Sequence, residues 1–335
     1  MPDTDSRRLL HAVAGAADRH GAVVIAVTRH DATSVHCAGL ADPSQGLPAD
    51  QRTRFEIGSL TKTFTVLLFA VLAAEGRVDL HEPLAPHLPA KTLPPDAHRI
   101  TAYHLATHTS GLPDFPLWLR LRNLPLLNPN PYSRYRPEQL LAHLRHVRLR
   151  HPPGTATTYS SLAMGLLGHL IEHATDDTYG NLLHEKVLTP LGLTDTTDDP
   201  ALPQALGHWH GRPRPPCLVP AIPAAGILRS SAHDLTHYLH HLIQPGAHLP
   251  APLRSALHTV LHPPADPHTP LAWGTTTHHG KTLYFHSGGT RGQAAHIGFC
   301  PRPATTLVAL TSNGITSKST FTRDAQRLLR HHTNT

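Results

Sequence analysis

The sequence predicts an α/β chain of the α+β type: one antiparallel sheet built from both ends of the sequence and flanked by helices, with an inserted all-α lobe between. Three observations carry that expectation. Strand-like segments occur early ("GAVVIAVT", "TSVHCAGL") and return only after residue 271 ("LAWGTTT", "KTLYFHS", "QAAHIGFC", "TTLVALTSN"). Between them, residues 77–224 lose strand alternation and offer short helical patterns and Pro-rich loops such as "RPRPPCLVPAIP". The segment "FTVLLFAVLAA" is apolar on nearly every side, as a helix buried at the centre of a core is. The expected division is residues 1–76 with 225–335 as the α/β domain, and 77–224 as the inserted helical lobe.

Taken in order, residues 5–19 read as an amphipathic helix. Two strands follow, joined by the turn "RHDA". A short strand at 55–57 leads into a long helix from Ser59 to residue 75, stopped by Gly76. In the lobe, helices are expected at 101–107, 137–150 and 161–174. Four strands then complete the sheet, and a helix at 320–330 closes the chain. No internal repeat is visible.

The 335 residues carry a formal charge of +6, mostly as arginine; the only lysines are Lys62, Lys91, Lys186, Lys281 and Lys318. Arginine cannot lose its proton in a protein and lysine can, so the retention of Lys62 inside an apolar helix is a chemical hint. The densest basic run, "RPEQLLAHLRHVRLRH", has an apolar stripe opposite its charges and reads as a solvated helix face, so no nucleic-acid partner is expected. Three scattered cysteines without C-x-x-C fit a reducing compartment. No uncharged run near the start suits a signal peptide, and no segment approaches the ~20 apolar residues of a membrane span. A cytoplasmic protein without a membrane partner is expected. The 31 histidines form chance pairs, none in an H-E-x-x-H helix or a Cys/His array, so no metal and no organic cofactor is expected. Oligomeric state is not legible.

Ser59-Leu60-Thr61-Lys62 is the only S-x-x-K in the chain. On a helix these two residues share a face. A serine hydroxyl needs a base, and lysine is one only when neutral, a form that apolar burial favours. Alone, the pattern equally describes a serine N-cap with a lysine reaching solvent. Two further stretches bear on it. "PPGTATTYSS" sets Tyr159 before a helix, and "YFHSGGTRGQAAHIGF" puts His286, Ser287, Gly288 and Gly289 at the end of a strand. Adjacent glycines let backbone N–H groups approach a ligand closely.

In order and spacing, Ser59-x-x-Lys62, Tyr159-x-Ser161 and His286-Ser287-Gly288 resemble the three motifs of the penicillin-recognising serine enzymes. This β-lactamase and penicillin-binding-protein-like family includes class C β-lactamases, D-alanyl-D-alanine carboxypeptidases and esterase relatives. The phrases "FEIGSLTKTFT", "ITAYHLATHTSGLPDF", "VLTPLGLTDT" and "AAGILRSSAHDLTHYL" are similar to that family too. The resemblance implies a β-lactamase/transpeptidase-like fold with its site between sheet domain and lobe. It implies Ser59 as acylated nucleophile, Lys62 as base and Tyr159 as proton shuttle. The N–H groups of Ser59 and Gly289 would form the oxyanion hole; Ser161, His286, Ser287 and Gly288 would bind substrate. Two positions depart from the pattern. Ser161 replaces an asparagine, and His286 replaces a lysine, with Arg291 downstream as a possible substitute charge. His108-Thr109-Ser110-Gly111 reads as a structural turn, and Phe115, Trp118, Tyr132 and Trp209 as cleft aromatics or core.

The expected function is a serine acyl hydrolase or acyltransferase acting on a small-molecule ester or amide through acyl-Ser59. With cytoplasmic placement this points toward natural-product metabolism. The alternatives are a D-alanyl-D-alanine carboxypeptidase or β-lactamase, and a catalytically silent binding protein.

Overall fold

The computed structural model describes residues 4–15, 21–29, 32–88, 92–93, 95–115, 130, 132–266, 268–315 and 319–334. Helix α1 (Thr4–Ala14) precedes strands β1 (Val23–Arg29) and β2 (Ala32–Ala38). The expected helix over 5–19 is thus described only to Ala14; its remainder and the middle of the "RHDA" turn lie outside the described residues. Gly39, at φ +80°, ends β2 and releases the chain into β3 (Leu40–Asp42), which pairs with β4 (Leu47–Pro48). Strand β5 (Phe55–Glu56) leads through a 3-10 turn, Gly58–Leu60, into α2 (Thr61–Ala74).

Ser59 therefore sits in a tight turn ahead of the α-helix, where the sequence predicts its first residue. The cause is Gly58. Its φ of +49° brings its backbone against Gly289, so that a β-carbon there would lie 2.6 Å from Gly289 O.

The next helices are α3 (Ala102–Ala106), α4 (Pro137–Leu144), α5 (Ser161–Thr175) and α6 (Tyr179–Leu183). A π-helical turn, His184–Leu188, continues α6. Helix α4 stops short of the expected residue 150. Val147 N–H closes a turn on Leu144 O, and Arg150 N–H is drawn off to Gly111 O. Residues 77–224 are not all helical: β6 (Gly207–Trp209) and β7 (Arg212–Arg214) form a hairpin there. After α7 (Pro223–Gly226), β8 (Arg229–Ser230) pairs with β5, and α8 (Ala232–Ile243) and α9 (Ala251–Thr259) follow.

The last strands are β9 (Gly274–His278), β10 (Lys281–Gly289), β11 (Ala294–Cys300) and β12 (Thr305–Thr311), before α10 (Phe321–Asn334). Residues 271–273 do not join β9 as expected, because Leu271 and Ala272 bond to Val260 and Ala106 and Ala272 takes φ +58°. The main sheet runs β2-β1-β12-β11-β10-β9, with every pair antiparallel.

Strand alternation divides the core. Val23, Ile25 and Val27 of β1, with Leu307 and Ala309 of β12, pack with Leu328 and Leu329 of α10. Val24 and Ala26, with Val308 and Leu310, face the other way into a cluster that runs through α2 to α3, α4 and α5. Helix α2 is the centre of that cluster, with Thr61 through Leu72 all buried. Such burial of apolar side chains stabilises by roughly 25 cal/mol per Å² removed from water, and it leaves Lys62 with no solvent contact at all. No helix among the described residues is long and apolar enough to cross a membrane.

Candidate active site

Three elements bring the candidate catalytic groups together. The turn before α2 supplies Ser59, α2 itself supplies Lys62, and the loop capping α5 supplies Tyr159. Lys62 Nζ donates to Ser59 Oγ at 2.8 Å and to Ala225 O at 2.8 Å. Tyr159 Oη donates to the same Ser59 Oγ at 2.7 Å, although the two residues lie 100 apart in sequence. The Lys62 amine also stands 5.1 Å from the centre of the Tyr159 ring. One hydroxyl oxygen is thus shared by a fully buried amine and a phenol that is 44% exposed.

Strand β10 runs alongside. A β-carbon on Gly288 would lie 2.0 Å from Ile57 O and 2.9 Å from Ser59 N, so only glycine lets β10 come this close. Thr290 N–H bonds Gln293 O at 2.9 Å. In an antiparallel ladder the direction of bonding alternates, so Gly289 N–H turns away from β11 toward the Ser59 edge. A β-carbon on Gly58 would lie 2.7 Å from that nitrogen. Two backbone N–H groups, from Ser59 and Gly289, therefore flank the same place.

The other sequence candidates divide. Ser161 lines the cleft with Ser59 and Gly289, and its N–H bonds Asp114 Oδ1 at 2.8 Å. Gly288 faces the 3-10 turn, and neither it nor His286 nor Ser287 lines the cleft. The His286 ring donates from Nδ1 to Ser287 O at 2.9 Å. Ser287 Oγ is bonded to His296 Nδ1 at 2.8 Å. Burial, reinforced by Lys62, pushes the His286 imidazole down to about 3. Burial alone puts His296 at about 3.

His108 is the residue whose surroundings sequence reasoning missed. It does sit in a turn, at φ +59°, but its ring lies 4.7 Å from the Tyr159 ring. Its Nδ1 accepts from Ser160 N–H at 3.3 Å, and its carbonyl accepts from Thr158 N–H at 2.8 Å. It so holds both residues beside the tyrosine. Burial, then Lys62, lowers its imidazole to about 3, so it stays neutral at physiological pH. Ala225 was also missed; as a backbone acceptor it leaves no side-chain signal.

The cleft encloses about 230 Å³. Its apolar surface comes from Phe115, Tyr132, Val219 and Ile222, and Phe115 stacks on Tyr132 with centroids 5.0 Å apart. Trp118 lies outside the described residues. Glu56 lines the floor and is buried. It accepts from Thr290 Oγ1 at 2.6 Å and from Cys217 N–H, and stands 3.8 Å from the buried Arg229 guanidinium. Arg229 in turn donates to the carbonyls of Cys217 and Ile227. Burial, then Glu56, pushes the Cys217 thiol up to about 12, which keeps it protonated beside the serine.

Among the described residues, Asp195, His233 and Asp234 bring three ligand atoms within 4.8 Å of one another. Their oxygens already accept from Arg52, Ser231, Thr196 and the Asp195 N–H, so this cluster braces the turn at Asp195 and Thr196 against the start of α8.

Known proteins are similar to this chain in sequence and in fold. Over 239 residues the chain is 29% identical to a β-lactamase of Pseudomonas fluorescens, a match covering 70% of this chain and 62% of that protein. It is 33% identical over 147 residues to the D-alanyl-D-alanine-carboxypeptidase/endopeptidase AmpH of Escherichia coli K12, covering 43% of this chain and 37% of that one. The chain thus spans less than two thirds of the length of these curated relatives. The fold matches the crystal structure of a class C β-lactamase from Rhodobacter sphaeroides with a TM-score of 0.81 at 21% identity, covering 99% of this chain and 100% of that one. The serine, lysine and tyrosine sit on that fold, and the Beta-lactamase family model matches residues 7–331: the chain belongs to the Beta-lactamase family.

Proposed function

We propose that the protein is a serine acyl hydrolase that cleaves a small-molecule ester or amide through a covalent acyl-Ser59. The observation that carries this reading is the single oxygen, Ser59 Oγ, held 2.8 Å from Lys62 Nζ and 2.7 Å from Tyr159 Oη at the edge of an open cleft. The Ser59 proton passes to Lys62 as Oγ bonds to the substrate carbonyl carbon. The carbonyl oxygen becomes an oxyanion facing the N–H groups of Ser59 and Gly289, which carry the developing charge. The bond to the leaving group then breaks, and Tyr159 hands that group its phenolic proton, which is replaced by the one Lys62 took from Ser59. Water attacks the acyl-Ser59 carbonyl, gives up a proton along the same path, and releases the acid and free Ser59. An alcohol or amine in place of water makes the same acyl-enzyme a transferase.

His286 and His108, both neutral and packed against this pair, position Lys62 and Tyr159. Gly288 lets β10 lie against the Ser59 turn, and Ser161 faces the substrate with a single hydroxyl. That favours a simple acyl group over a peptide or β-lactam side-chain amide. The three free cysteines favour a cytoplasmic reaction. A fluorophosphonate probe followed by intact-mass and peptide mapping tests the proposal. One adduct on Ser59, absent from Ser59→Ala, is expected. A chain that takes up no probe is a silent binding protein, and the proposal then fails.

A further inference from the structure

The two N–H groups that face the oxyanion in the mechanism above belong to different elements. Ser59 lies in the 3-10 turn after β5, and Gly289 ends β10. Gly58 lies close on Gly289, and Gly288 close on Ile57. Contacts of that kind set how near two backbones can come. Hydrogen bonds are needed to hold them there.

Those bonds converge on Glu56, at the end of β5. Its Oε2 accepts from Thr290 Oγ1 at 2.6 Å, across 234 positions of sequence. Its backbone N–H donates to Gln293 Oε1 at 3.0 Å, and Gln293 Nε2 donates onward to Ala205 O at 2.9 Å. One residue thus meets both ends of the β10–β11 turn, Thr290 through its side chain and Gln293 through its main chain. The turn is also closed on itself. Thr290 Oγ1 accepts from Gly292 N–H at 3.2 Å and from Gln293 N–H at 3.1 Å. Thr290 follows Gly289 directly, so a shift of one carries the other. Glu56 and Gln293 are 4% and 2% exposed, so water does not compete for these bonds. Arg229, 3.8 Å from Glu56 Oε1, supplies the counter-charge. A carboxylate acceptor makes the Thr290 bond charge-assisted and stronger than a neutral one.

Resting on the hydrolase reading, we infer that Glu56 is a positioning residue that holds the two oxyanion donors at their working separation. It acts through Thr290 on Gly289 and along β5 on Ser59. It takes no proton in the reaction. Its effect falls on the transition state, where the oxyanion forms, and not on the bound substrate.

Thr290→Val tests this while leaving the Glu56–Arg229 pair in place, because it keeps the side-chain shape and removes only the hydroxyl. With 4-nitrophenyl acetate, kcat should fall about tenfold or more while KM changes little. Phenylboronic acid adds to a serine as a tetrahedral adduct whose oxygen takes the oxyanion position. Its inhibition constant should rise by a similar factor. Thr290→Ser, which restores the hydroxyl, should bring both constants back close to the wild type. A partly unfolded preparation lowers kcat and leaves the inhibition constant unchanged; that pattern overturns the inference. Glu56→Asp keeps the charge beside Arg229 but draws it back by one methylene. It should show the same split, and its loss of boronate affinity should not add to that of Thr290→Val in the double variant. Additive losses would mean that Thr290 acts within its own turn, and overturn the role of Glu56. A wild type that neither hydrolyses the ester nor is inhibited by the boronate overturns the hydrolase reading, and this inference with it. Hydrolysis that is indifferent to Thr290→Val overturns this inference alone.

Discussion

The wall of the cleft that carries Ser59 and Lys62 is regular structure, a 3-10 turn running into α2 with β10 pressed against it. The opposite wall, with Phe115, Tyr132, Pro215 and Cys217, is loop. The first is fixed atom by atom through backbone contacts so close that Gly58 and Gly288 have no substitute. The second is held by the Phe115–Tyr132 stack, by the Asn130 side chain bonded to Pro216 O and Leu218 N–H, and by the buried Glu56–Arg229 pair behind Cys217. The difference separates chemistry from choice. A rigid wall serves a reaction common to many substrates, and a loop wall is where one substrate is told from another.

The sharpest way to test that division is to remove chemistry without touching the loops. Lys62→Met is expected to lower kcat by about 10³-fold or more, as loss of a general base from a nucleophile pair does. The fold of the same variant should persist, which its urea midpoint reads directly. Next in size is Glu56→Gln, which leaves Arg229 buried without its counter-charge. It should destabilise the fold by about 3 kcal/mol, measured as the urea midpoint, and loosen the loop wall and floor together.

Acid probes the rigid side. His108, His286 and His296 sit at about 3 in the folded chain, far below the ordinary value of 6.5. The unfolded chain therefore binds more protons between those values, and stability is full above 6.5 and lost as pH falls toward 3. Each should contribute a loss of roughly 1 kcal/mol per pH unit below 6.5, seen as a falling Tm from pH 7 to pH 5. A flat Tm over that range would mean the imidazoles are not shielded. Smallest is Tyr132→Ala, which removes half of the Phe115 stack. It should raise KM for apolar acyl esters about three- to tenfold with little change in kcat. An equal loss in kcat would place the loop wall within the chemistry and break the comparison.

The rigid wall was the legible one. Alternation gave the sheet strands, and the all-round apolar run gave α2 as a central helix. S-x-x-K became meaningful once Tyr159 and the glycines after His286 joined it. The boundaries that moved did so for tertiary reasons: Gly58 bent the entry to α2, and Gly111 drew Arg150 out of α4. The loop wall was opaque because its partners are backbone atoms. The Cys217 N–H and carbonyl that bond Glu56 and Arg229 mark no residue type, and His108 lay in a turn whose sequence says nothing of the ring it touches. Glu56 did leave a signal, a carboxylate between Phe55 and Ile57 in a buried strand, and its partner Arg229 lay 173 positions away.

Pairing β1 with β12 has a consequence for synthesis. Val23 meets Thr311, so the sheet cannot close until residue 311 has left the ribosome. Ser59 and Lys62 emerge early, but Gly289 arrives some 230 residues later. On the proposed mechanism a nascent chain therefore carries the nucleophile and the base without the second N–H that would stabilise the oxyanion. It stays chemically quiet until Gly289 has been made.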